Sequence, residues 1–114
     1  MRRAALTLAL ILGLVGSPAA QKPLDVGRGL RQALERERTG DHAAAIRIYR
    51  GLLIAYPKRD DLTQRLADTL VSAGKYEEAL NILDGQIAHS PDDTKALIRR
   101  VDVLISLGRR REAK

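Results

Sequence analysis

Few side chains in this sequence of 114 residues are placed to do chemistry. The candidates are two acidic pairs, Asp60-Asp61 and Asp92-Asp93, and two histidines, His42 and His89. Paired carboxylates can share a proton or hold a cation, and a histidine can serve as a base or a metal ligand. Each acidic pair lies between a proline, Pro57 or Pro91, and the stretch that follows it. Carboxylates there favour the positive end of a helix dipole, which explains them better than acid–base catalysis. Neither histidine has a second histidine or a carboxylate at ligand spacing, and no phosphate loop or nucleophile motif occurs. The absence of cysteine excludes disulfides, thiol catalysis and cysteine-containing zinc sites. The expected protein is not an enzyme and needs no cofactor or metal.

The elements that carry these residues repeat. Gly74, Ala79, Ile82, Gly85 and Pro91 fall on Gly40, Ala45, Ile48, Gly51 and Pro57 when the chain is shifted by 34 residues, and Gly108 and Ala113 continue the series. A fixed period of that length across glycine, proline and apolar positions indicates stacked helical hairpins. The periodicity predicts a helix over about 26–38 with Leu30, Ala33 and Leu34 as its buried stripe. Gly27 and Gly29 weaken its start, at about 1 kcal/mol each relative to alanine. After Gly40, Asp41 caps a second helix over about 42–55, with Ala45, Ile46, Tyr49, Leu52 and Leu53 inward, and Tyr56-Pro57 ends it. A third helix over about 60–73 buries Leu62, Leu66, Ala67, Leu70 and Val71. Gly74 breaks it, and Glu77 and Glu78 open a fourth that carries Ala79, Leu80, Leu83, Ile87 and Ala88 inward up to Ser90-Pro91.

The fifth helix starts at Asp92, Asp93 and Thr94, with Leu97, Val101, Leu104 and Ile105 as its inward stripe. Gly108 is expected to end it, and Arg109 to Lys114 to begin a sixth. Ile98, Val103 and Leu107 lie off that stripe, so the helix is apolar on more than one side. Two readings stay open. The chain is the N-terminal piece of a longer array, or its fifth helix is an apolar cap that pairs with another chain. The recurrence of Gly51 and Gly85 suggests a close helix contact.

Before the repeats, Arg2 and Arg3 precede an apolar run from Ala4 to Gly16 broken only by Thr7, and then Ser17-Pro18-Ala19-Ala20. Basic start, apolar core and small-residue site make a secretory signal peptide, whose core runs about 7–15 residues. The expected organisation is a signal peptide over 1–20, cut near Ala19 or Ala20, a linker over 21–25, and repeats over 26–59, 60–93 and an incomplete 94–114. That places the protein in the periplasm or outside the cell. The net charge is +6, and losing Arg2 and Arg3 leaves 18 basic against 14 acidic residues. Seven basic residues against Asp102 and Glu112 crowd the stretch 94–114. The signal and the lack of an aromatic platform argue against nucleic acid.

An alanine five residues after each glycine (Ala45, Ala79, Ala113) and a proline seventeen after it (Pro57, Pro91) resemble the tetratricopeptide repeat, as does the segment Gly74-Lys75-Tyr76-Glu77-Glu78-Ala79-Leu80. The resemblance covers 26–114. It implies an all-α fold, a right-handed superhelix of antiparallel helix-turn-helix hairpins with about two and a half repeats. It also implies that the first helices line a concave groove that holds a peptide or helix of a partner protein. By register that groove takes Leu30, Leu34, Glu37, Arg38, Gln64, Arg65, Asp68, Val71, Lys95, Ile98, Arg99 and Asp102. Some members grip a terminal carboxylate with basic and asparagine residues from successive repeats. Lys95 and Arg99 match the basic pair of such a clamp, but Leu30, Leu34 and Arg65 stand at its other positions. The function implied is a protein-interaction scaffold of the bacterial envelope. The alternative is a structural arm at the N-terminus of a larger envelope machine, such as an exopolysaccharide-export or outer-membrane assembly component.

Overall fold

The computed structural model describes residues 25–112. They form five helices and, among the described residues, no strand: α1 (Val26–Arg38), α2 (His42–Ala55), α3 (Asp60–Ser72), α4 (Tyr76–His89) and α5 (Thr94–Glu112). Each helix packs against its neighbours in chain order. The expected signal peptide and all of the linker but Asp25 lie outside the described residues.

The glycine turns are the same structure twice. Gly40 and Gly74 have φ of 81° and 75°, the left-handed region that a residue with a Cβ enters only at a cost. Behind each, the next residue closes the helix end: the Asp41 amide donates to the Arg36 carbonyl and the Lys75 amide to the Leu70 carbonyl, both at 2.8 Å. Gly40 and Gly74 themselves donate to Glu37 and Val71. These are the paired bonds that satisfy the last carbonyls of a helix. The Asp41 carboxylate then caps α2 by accepting from the Ala44 amide at 3.1 Å. At the proline turns Arg59 donates to Tyr56 and Asp93 to Ser90, again 34 residues apart.

Small residues set the helix spacing. Ala45 and Ala79 are fully buried at equivalent positions, where a larger side chain would push the hairpin apart. Tyr49, Leu52, Leu62, Leu66, Leu70 and Leu83 fill the space between helices. Burial of this kind is worth about 1.5–3 kcal/mol per large apolar side chain.

Several expectations are corrected. Gly29 is a packing residue rather than only a weak point: a Cβ there would lie 2.6 Å from Leu52 Cδ2, and Leu52 is fully buried. Leu34 and Ala88 are exposed, so the α1 stripe consists of Gly29 and Ala33 with Leu30 at its edge. Gly85 makes no close contact, since a Cβ there meets open space.

The largest corrections concern α5. Ala96, Val103 and Leu107 are its buried residues, whereas Leu97, Val101, Leu104 and Ile105 lie outward with Ile98, each between 41% and 57% exposed. The reason is the set of neighbours. α3 packs against both α2 and α4, so two sides of it are covered; α5 packs against α4. Gly108 does not end the helix, which continues to Glu112. Arg110 reaches the Gly74 carbonyl at 2.8 Å and lies over the Tyr76 ring at 5.7 Å, fastening the continued helix to the start of α4.

Candidate partner-binding groove

α3 and α5, the first helices of successive repeats, bring together half of the expected groove residues. Asp68, Val71 and Ser72 of α3 face Arg99, Asp102, Val103 and Ser106 of α5 across a cavity of about 320 Å³. Lys95, Ile98, Arg99 and Asp102 line a second depression of about 340 Å³ further along α5. The two share Arg99 and Asp102 and so form one continuous groove.

Its electrostatics are partly closed. Arg99 forms an ion pair with Asp68, tying α3 to α5. That removes Arg99 from the free basic pair expected with Lys95, so a carboxylate clamp built on both residues does not fit. Lys95 and Asp102 are exposed, and the Lys95 charge adds to the bonds that hold the Asp93 carboxyl below its usual range. They present one charge of each sign beside Ile98 and the half-buried Val71, a surface suited to an amphipathic segment.

The first repeat contributes little to this groove. Leu30 packs against the core, and Arg38 is held by Glu35 at 2.6 Å. Glu37 is a structural residue. Its carboxylate accepts from the Tyr49 hydroxyl at 2.6 Å and from the Thr69 hydroxyl, joining α1, α2 and α3. The Thr69 oxygen also lies 2.8 Å from the Arg65 carbonyl of its own helix, but the charged carboxylate is the stronger acceptor. Burial pushes the Tyr49 phenol well above its ordinary range, and the bond to Glu37 adds to the shift. Gln64 is half-buried and Arg65 exposed, and neither lines the cavity between α3 and α5.

Ser72, Val103 and Ser106 line the groove without having been expected there. The period itself carried the signal: Asp68, Thr69 and Ser72 fall on Asp102, Val103 and Ser106 at a shift of 34. The histidines take no part. His42 is half-buried at the start of α2 and His89 exposed at the end of α4. Among the described residues no group of histidine and carboxylate side chains is close enough to hold a metal, and no helix is long and apolar enough to cross a membrane.

The sequence profile of the family described as Tetratricopeptide repeat matches residues 38–93 and again residues 70–114. The chain belongs to that family. The two matches together reach from the end of α1 to the end of the chain. The five helices are accordingly a tetratricopeptide helical-hairpin superhelix of about two and a half repeats. Tetratricopeptide repeats are protein-interaction scaffolds, and the fold points to protein partners. No curated protein sequence matches the chain.

Proposed function

We propose that the protein is a non-enzymatic scaffold of the bacterial envelope that holds an amphipathic segment of a partner protein in the groove between α3 and α5. The observation that carries this reading is the groove itself, where Val71 and Ile98 lie beside the exposed Lys95 and Asp102. A bound segment buries apolar side chains against the first pair and sets its charges against the second. The sequence pattern at residues 1–20 supports export, with the mature chain in the periplasm or outside the cell.

A photo-crosslinking residue placed at Asp102 and, separately, at Ile54 tests the groove. Ile54 is 84% exposed on α2 and lies outside it. The expected result is a discrete adduct from position 102 that disappears with Lys95→Glu and is absent from position 54. Equal labelling from both positions would remove the groove from the proposal. Mass spectrometry of the exported chain tests the compartment, with a new N-terminus expected after Ala19 or Ala20.

A further inference from the structure

A separate cavity, of about 420 Å³, lies where the end of α2, the start of α3 and the second half of α4 meet. It shares no residue with the groove between α3 and α5. Its volume falls within the range of ligand sites, about 300–1,000 Å³. Leu53 and Ile82, both half-buried, supply its apolar surface, and Gly85 forms part of its wall.

Two features of this cavity are not explained by packing. The first is Gly85. Glycine inside a helix is destabilising relative to alanine, yet a Cβ at this position would meet no atom within 4 Å. The missing side chain leaves the α4 backbone open to whatever enters the cavity. The second is the Gln86 carboxamide, in a residue that is only 7% exposed. Its Nε2 donates to the Asp93 carboxylate at 3.1 Å. Bonds from Gln86 and the Ala96 amide keep Asp93 ionised, so Asp93 can only accept and the amide is fixed in one orientation. Gln86 Oε1 is thereby a fixed acceptor, and among the described residues it receives no hydrogen bond. A nearly buried acceptor without a donor is costly until something supplies one.

The surroundings specify that donor. The hairpin over residues 60–93 has eight acidic residues against two basic ones. Five of its acids pair with arginines, and Asp60, on the cavity wall, is not among them. The Thr63 hydroxyl leans toward the Arg59 carbonyl at 3.5 Å, which leaves its oxygen to accept. Gln86 and His89 lie in the last turn of α4, whose carbonyl end favours a positive charge. Three acceptors beside an apolar floor suit several N–H donors on an aliphatic stem. A guanidinium carries five in one plane, and its methylenes cover apolar surface. A carboxylate or phosphate would meet Asp60 and the Gln86 oxygen instead.

We propose that this cavity binds an arginine side chain of a partner protein, its guanidinium donating to Gln86 Oε1 and the Asp60 carboxylate. The stem lies along Leu53, Ile82 and the bare backbone at Gly85. A protein source follows from the fold, which points to protein partners. The site is independent of the groove.

Amide NMR shifts of the full chain, titrated with N-acetyl-arginine methylamide, test the proposal. Saturable shifts over residues 81–86 are expected, with a Kd on the order of 1 mM. The citrulline analogue, which keeps the shape without the charge, should produce none. Asp60→Asn weakens binding at least about threefold. Lys58→Glu removes an exposed like charge at the rim and strengthens it. Gly85→Leu fills the cavity and abolishes the titration, while the melting temperature holds or rises and the crosslink from position 102 persists. Equal responses to the arginine and citrulline compounds, or a Gly85→Leu chain that binds as before, would overturn the site. Binding of agmatine without binding of the capped arginine would overturn the protein source.

Discussion

α3 and α5 occupy the same place in successive repeats, yet they end differently and bury different faces. α3 is sandwiched between α2 and α4, stops at Ser72 and turns through a left-handed Gly74. α5 packs against α4, runs past Gly108 and leaves its most apolar face exposed. The repeat supplies the same glycine to both. The difference teaches that the glycine permits the turn but does not make it. What draws the chain back at Gly74 is the apolar face of α4, in which Ala79 and Leu83 are buried against the body.

The comparison is sharpened first at matched apolar positions. Leu70→Ala empties a fully buried site in α3 and is expected to cost about 2–5 kcal/mol. The same change at Leu104, its equivalent in α5, removes a side chain that is 41% exposed and is expected to cost below about 1 kcal/mol. Urea titration of both variants decides it, and equal losses would mean that the stripe on α5 is buried in solution.

The glycines give the next test. Gly74→Ala places a Cβ at φ 75°, expected to cost about 1–2 kcal/mol. Gly108→Ala, in a continuous helix with open space around it, is expected to stabilise by up to about 1 kcal/mol. Melting temperatures moving in opposite directions support the continuous helix, and a matching loss at Gly108 would restore a turn there.

Gly29 and Gly85 form a second contrasting pair. Gly29→Ala drives a methyl into Leu52 and is expected to destabilise by about 1–3 kcal/mol, because the buried leucine has nowhere to move. Gly85→Ala meets open space and is expected to gain about 0.5–1 kcal/mol. Denaturant midpoints of the two variants should lie on either side of the parent.

The smallest expected effects follow pH. Folding raises the Tyr49 pKa, chiefly by burial, so the folded chain keeps a proton that the unfolded chain releases near pH 10. Stability from this group is complete below that pH and declines as the pH rises toward the folded value. Tyr49→Phe should flatten the alkaline slope of the urea midpoint. Asp93 behaves in the opposite sense: bonds from Gln86 and the Ala96 amide hold its carboxyl below the usual range. Its contribution is present above about pH 4 and is lost as the pH falls through the folded value. An unchanged acid slope in Asp93→Asn would show that the cap adds nothing.

Much of the fold was legible before any coordinates. Glycine and proline punctuate every described boundary up to α5, so the first four helices were expected within about two residues of where they lie. The faces of α2 and α3 were legible because each carries one dominant stripe. α5 carries two, and size favoured the wrong one: Leu97, Val101, Leu104 and Ile105 are bulkier than Ala96, Val103 and Leu107. Hydrophobic spacing reports that a face is apolar, but burial depends on which helix arrives to cover it. The groove was half legible for the same reason. Register located Asp68, Val71, Lys95, Ile98, Arg99 and Asp102, but it did not show that Glu37 is engaged by Tyr49 and Thr69 or that Arg99 is engaged by Asp68.

Glu37 has a mechanical consequence. In a stack of repeats each unit touches only its neighbours, and cooperativity passes from one interface to the next. A single carboxylate gripped by hydroxyls from α2 and α3 links three helices at one point, so the first hairpin cannot peel away without breaking into the second. Fraying should therefore proceed from the α5 end inward, and under force the array should come apart in that order, with α1 to α3 yielding last and as one block.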